Sequence, residues 1–175
     1  MKVSAPRHIL RWVLALGLAL FTAAAAAGAE TVRGSEWMAA APAAIFTVTT
    51  TADSGAGSLR WAIEQANAAA GLDTIAFNIA GAGVKTIAPL TILPTITDAV
   101  IVDGATQPGF AGAPLIELRG ASCAASPCHG LWITAGGSTV KGLIINRFPD
   151  RGILLETGGG NTIVGNYLGD RKSVV

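Results

Sequence analysis

Residues 130–146 read GLWITAGGSTVKGLIIN, and residues 152–169 read GILLETGGGNTIVGNYLG. Gly130-Leu131-Trp132-Ile133 matches Gly152-Ile153-Leu154-Leu155 at an offset of 22 residues. Gly136-Gly137-Ser138-Thr139-Val140 matches Gly159-Gly160-Asn161-Thr162-Ile163 at an offset of 23, and Gly142 matches Gly165 at the same offset. One inserted residue separates the two halves of the match. A period of this size is the mark of stacked coils. Each unit holds two visible short strands with a glycine turn between them, and a unit this short cannot bury its own apolar face. It must stack on copies of itself, at about 4.8 Å per rung. The pattern therefore predicts an all-β solenoid, a parallel β-helix.

Upstream, AVIVDG (99–104) and PLIELRG (114–120) read as earlier, less regular rungs, with ATQPGFAGA as the loop between them. TIAPLTIL (86–93) is a further strand-like run. Together these place the rungs over 81–169. Composition agrees: 22 Gly among 175 residues and only 13% charged residues suit many tight turns around a packed core and argue against disorder.

Residues 45–80 break the pattern. FTVTTT is a β-branched strand, DSGAG a turn, and Ser58 an N-cap for a helix over 59–69. Leu59, Ala62, Ile63 and Ala66 fall on one apolar stripe, and Gly71 is a natural stop. DTIAFNI is the next strand. Terminal units of solenoids need atypical covers, because an unpaired sheet edge invites aggregation. The helix is expected to be that N-terminal cap.

The segment Ser58-Leu59-Arg60, Ala62-Ile63, Ala66-Asn67 and Asp73-Thr74-Ile75 with Phe77 resembles the N-terminal region of bacterial secreted right-handed parallel β-helix proteins, which carry a CSLREA-type motif, an Ala/Asn-rich helix and a "DTI-F" strand. Gly57 stands where that motif has Cys, and Trp61 where it has Glu. ITDAVIVDGATQPGF and GNTIVGNYLG are similar to the same group. The resemblance covers about residues 46–169. It implies a right-handed, pectate-lyase-like coil and export. The wider fold of that group resembles pectate lyases and polygalacturonases, and many of its members have no assigned chemistry.

The segment from Met1 to Ala29 looks like a secretory signal. Lys2, Arg7 and Arg11 form its basic start, Trp12–Phe21 its apolar centre, and Ala27-Gly28-Ala29 the small-residue pattern before a cut between Ala29 and Glu30. The apolar centre is shorter than the ~20 residues that span a bilayer. Residues 30–44 show no period and read as a linker. The expected location is secreted, periplasmic or cell-surface. In an oxidising compartment Cys123 and Cys128, the chain's two cysteines, are expected to pair as a short staple contributing about 2 kcal/mol. Removing the signal leaves nine basic residues against eleven acidic ones, with no Lys/Arg run, so nucleic acid is not an expected partner.

Chemistry is harder to find. Glycoside hydrolysis needs two carboxylates roughly 5–10 Å apart. The acids in the rungs are Asp98, Asp103, Glu117, Asp150 and Glu156, and none forms a DD or NxD pair. Asp98 and Asp103 point to opposite faces if one strand runs through both. Glu117 and Glu156 can share a face about two rungs apart. Arg119, Arg147 and Arg151 suit uronate binding or a solvated face. Asn146 and Asn161 read as turn residues. Trp132 is either core or a sugar-stacking platform, and its match to Leu154 favours core. His129-Gly130 is too short a match to the polygalacturonase motif to count. No metal or cofactor site and no catalytic constellation is expected. The reading is a structural, adhesive or glycan-binding module whose partners are glycans or cell-surface proteins. The alternative is the N-terminal part of a polysaccharide lyase or glycoside hydrolase.

The beat of Gly, Asn and β-branched residues stops at Gly169, and DRKSVV follows. GAT CGG AAG AGC GTC GTG TAG, within a common short-read sequencing adapter, translates to those six residues and a stop. The expectation is that 170–175 is adapter read-through and that 1–169 is an N-terminal fragment of a longer coil.

Overall fold

A computed structural model describes residues 42–169. The expected cleavage junction Ala29/Glu30, nearly all of the linker and the tail 170–175 lie outside the described residues. Among the described residues no helix is long and apolar enough to cross a membrane.

Along the described residues, eleven short strands and one α-helix follow one another: β1 (Ile45–Val48), α1 (Leu59–Ala68), β2 (Asp73–Phe77), β3 (Lys85–Ile87), β4 (Val100–Asp103), β5 (Ile116–Arg119), β6 (Leu131–Ile133), β7 (Thr139–Lys141), β8 (Leu143–Asn146), β9 (Ile153–Leu155), β10 (Thr162–Val164) and β11 (Tyr167–Leu168). Every strand pairing is parallel. Three open sheets result, and none closes into a barrel. Sheet A has the order β1-β2-β4-β7-β10, sheet B β11-β8-β5-β3, and sheet C β6-β9. Ile96 extends sheet C by a single bridge to Ile133. The chain visits A, B and C in that order in each of three coils: β2-β3-Ile96, β4-β5-β6 and β7-β8-β9. A fourth coil, β10-β11, reaches A and B. Stacked parallel strands in open sheets are in keeping with a parallel-strand solenoid.

The repeat read from the sequence is the pairing register. Leu131 pairs with Ile153 at offset 22, and Thr139 with Thr162 at offset 23. The inserted residue is Thr157: the Glu156 amide still donates to Ile133 O, while the Gly158 amide has shifted to Thr134 O. Each coil has a third side that the two-strand reading missed. TIAPLTIL also contributes only the end of β3, because Pro89 and Pro94 remove ladder donors and leave Ile96 as the one bridge on that side.

Inward residues alternate along the strands, as a half-buried sheet requires. Val48, Ile75, Phe77, Val100, Val102, Ile116, Leu118, Val140, Leu143 and Ile145 form one core with Leu131 and Ile133 of sheet C. Where loops interrupt the ladders, side chains take over backbone bonds. The Gln107 carboxamide accepts from the Ile79 amide and donates to Ile79 O. Asn166, fully buried, does the same for the Leu143 amide and Val140 O. Asn161 accepts from the Ser138 amide, and Ser138 Oγ from the Val100 amide.

Helix α1 ends at Ala68, with Ala69 as its C-cap, and Ser58 Oγ accepts from the Trp61 amide at its start. Leu59, Ala62, Ile63 and Ala66 are buried in the common core. The outer polar residues face the third side of the first coil. Asn67 donates to Thr95 O and accepts from the Thr97 amide. Arg60 donates to Ile92 O and Thr91 O. The helix thus supplies bonding partners to backbone that no strand pairs.

Candidate functional site

Cys123 and Cys128 form a disulfide with Cα atoms 6.5 Å apart. It closes a loop between β5 and β6, and the Ala124 amide in that loop donates to Leu90 O of the first coil.

The five acids are dispersed over the sheets. Asp98 lies before β4 rather than on its strand, and accepts from the Ala99 amide. The opposite-face expectation for Asp98 and Asp103 therefore does not apply. Asp103 faces outward from sheet A, 2.9 Å from Lys141 Nζ on the next coil. Glu117 is on β5 of sheet B, whereas Glu156 follows β9 of sheet C, so the two do not share a face. Of the arginines, Arg147 and Arg151 are exposed, Arg147 in the left-handed region, and Arg119 is half-buried.

Two polar clusters emerge. The first is on sheet B. Glu117 Oε2 accepts from Thr86 Oγ1 at 2.6 Å, and Oε1 accepts from Asn146 Nδ2 at 2.9 Å. Asn146 is a buried strand residue of β8, not a turn residue: its register partner is Arg119, which puts its carboxamide beside Glu117. Glu117 is 4% exposed and Asn146 6%. The carboxylate is committed to neighbouring coils and closed to a bulky ligand, so the cluster ties three coils together.

The second cluster is on sheet C and opens to solvent. On β6, Leu131 and Ile133 point inward, so Trp132 points outward and is half-buried. Its match to Leu154 does hold as register, but both residues lie on the outer row, which overturns the core reading of Trp132. The indole Nε1–H donates to Glu156 Oε2 at 2.8 Å. The buried His129 imidazole meets the indole nearly perpendicularly, with ring centroids 5.7 Å apart. His129 Nδ1 lies 3.3 Å from Asp150 Oδ2, an off-line contact rather than a hydrogen bond. Arg151 Nη1 is 3.3 Å from Asp150.

An indole whose N–H is fixed by a carboxylate and whose ring is met nearly perpendicularly by an imidazole is a rigid amphipathic surface. Such a surface offers apolar area for the C–H face of a ligand and polar groups at its border. Sequence reading had every member in hand and missed the assembly, because its parts are scattered from His129 to Glu156 and meet only through the sheet C register. Among the described residues no group of three or more His, Cys, Asp or Glu is placed to hold a metal ion. Comparison of the chain with protein-family models, with curated proteins and with solved structures finds no match.

Proposed function

We propose that this chain is an exported, right-handed parallel β-helix that acts as a non-catalytic binding module for glycans at or beyond the cell surface. The observation that carries the reading is Trp132: an indole turned outward from a stacked sheet, with Glu156 holding its N–H at 2.8 Å. Large aromatic side chains turned out of a rigid scaffold give contact area at small entropic cost. Sheet C supplies the scaffold, and the signal-like segment before Glu30 supplies the route out of the cell. The reading also accounts for the acids: Asp103 and Glu117 are spent on neighbouring coils, Asp98 on its own adjacent amide, and Asp150 and Glu156 on the border of the indole, with none paired across a cleft.

The test is a glycan array probed with the full chain and with Trp132→Ala, alongside incubation with polygalacturonate and related polysaccharides with and without calcium. Binding that disappears in Trp132→Ala, with no chain cleavage, is the expected result. Turnover of any polysaccharide would replace this reading with the lyase or hydrolase alternative.

A further inference from the structure

We propose that the Trp132 site selects an amino sugar carrying a free ammonium group, in preference to an uronate or an N-acetylated sugar. This rests on the glycan-binding reading above and names the ligand class of the same site. Three observations converge on it. Glu156 is exposed, and only its Oε2 is engaged, by the indole N–H; among the described residues Oε1 meets no donor. The other carboxylate of the cluster, Asp150, is already faced by Arg151 and His129. The uncompensated charge at the border of the indole is therefore the negative charge of Glu156.

The hydrogen bond adds to this. A carboxylate accepting from the indole N–H pushes electron density into the ring and deepens its negative face, which strengthens attraction for a cation above it. A sugar stacked on Trp132 with an ammonium substituent reaches both the ring face and Glu156 Oε1. An uronate in the same pose brings like charges together, and an N-acetyl group removes the charge that both features reward.

Isothermal titration of the full chain with a glucosamine oligomer, its fully N-acetylated counterpart and an oligogalacturonate tests this. The glucosamine oligomer should bind more tightly by about tenfold, with the advantage falling as salt rises. Glu156→Gln keeps an acceptor for the indole N–H and removes only the charge, so it should erase that preference without disturbing the fold, as checked by circular dichroism. Trp132→Ala should remove binding of all three. Binding of the N-acetylated oligomer or the oligogalacturonate as tight as that of the glucosamine oligomer, or a preference that survives Glu156→Gln, overturns the amino-sugar assignment and leaves glycan binding standing. Binding of no glycan at all overturns both.

Discussion

Asn166 has no exposed surface although its side chain is a polar carboxamide, and its position explains why. Gly142 and Gly165 each turn the chain from sheet A to sheet B with positive φ, 68° and 62°, where a side chain is strained. At that corner the Leu143 amide precedes the first ladder bond to β11, and the Asn166 carboxamide meets it at 2.9 Å while donating to the Val140 carbonyl at 2.8 Å. Asn166→Ala leaves the buried Leu143 amide without its partner, strips one bond from the Val140 carbonyl, and should cost about 2 kcal/mol in urea unfolding. Asn166→Asp should cost more still, because it keeps the acceptor, loses the donor and buries a charge. A loss below half a kcal/mol, as for an ordinary surface change, would mean water does the same job. Gly104 tests packing at the same corner: a Cβ there would run into the Gly142 carbonyl of the next coil, so Gly104→Ala should destabilise by about 1–3 kcal/mol. Individual residues are where sequence reading was weakest. Nothing near Asn146 announces Glu117, its partner 29 residues away. Trp132 misleads for a related reason, since two matched apolar residues can line an outer row as well as a core.

Helix α1 shows the reverse case, an element whose signals are all local. The Ser58 cap and the stripe of Leu59, Ala62, Ile63 and Ala66 lie in one short run of chain, and each does what its chemistry suggests, whereas the helix ends at an extended Ala69, two residues before the positive-φ Gly71 expected to stop it. What locality hides is the anchor beneath it. Asp53 Oδ1 accepts from the Leu90 amide at 3.0 Å and lies 3.1 Å from Arg60 Nη2. Partial burial works to raise the Asp53 pKa, but the Leu90 amide and the Arg60 guanidinium outweigh it and hold the carboxyl below its ordinary range. A folded-state pKa that is depressed gives stability that is present above the unfolded value, about 3.9, and lost as pH falls through the folded value. The melting temperature should therefore drop on acidification below about pH 4, and Asp53→Asn should flatten part of that drop. An unchanged acid limb in Asp53→Asn would assign the loss to other carboxylates. The Cys123–Cys128 loop is the other local element: Cys123→Ser with Cys128→Ser should cost about 2 kcal/mol in thermal or urea unfolding, and no loss would show that the Ala124–Leu90 bond and the buried surroundings of residue 128 suffice without the cross-link.

Across the whole molecule, the stack is legible where loops are short and illegible where they are long. From β6 onward the pairing offset is nearly constant, so the register Leu131–Ile153 and Thr139–Thr162 can be seen in the letters. Between the earlier coils Ile101 pairs with Thr139 and Thr86 with Glu117, across longer and unequal separations, and the insertions erase the beat. The same stacking sets how stability is distributed. A coil in a solenoid gains its bonds and buried area from its neighbours, so strands paired on both sides should open last. β2, β4, β5, β7 and β8 each pair on both edges, whereas β10 and β11 pair on one edge among the described residues, and Val164 is 50% exposed. Native-state hydrogen exchange should therefore show slow amides in β2, β4, β5, β7 and β8, intermediate protection in β1, which packs against α1, and the fastest strand amides in β10 and β11. Arg60→Ala with Asn67→Ala, which strips the partners of Thr91, Ile92, Thr95 and Thr97, should speed exchange in the first coil and leave β7 and β8 unchanged. Uniform protection across all four coils would contradict nearest-neighbour stacking, and protection in β10 equal to that in β7 would mean the β10 edge is covered in solution.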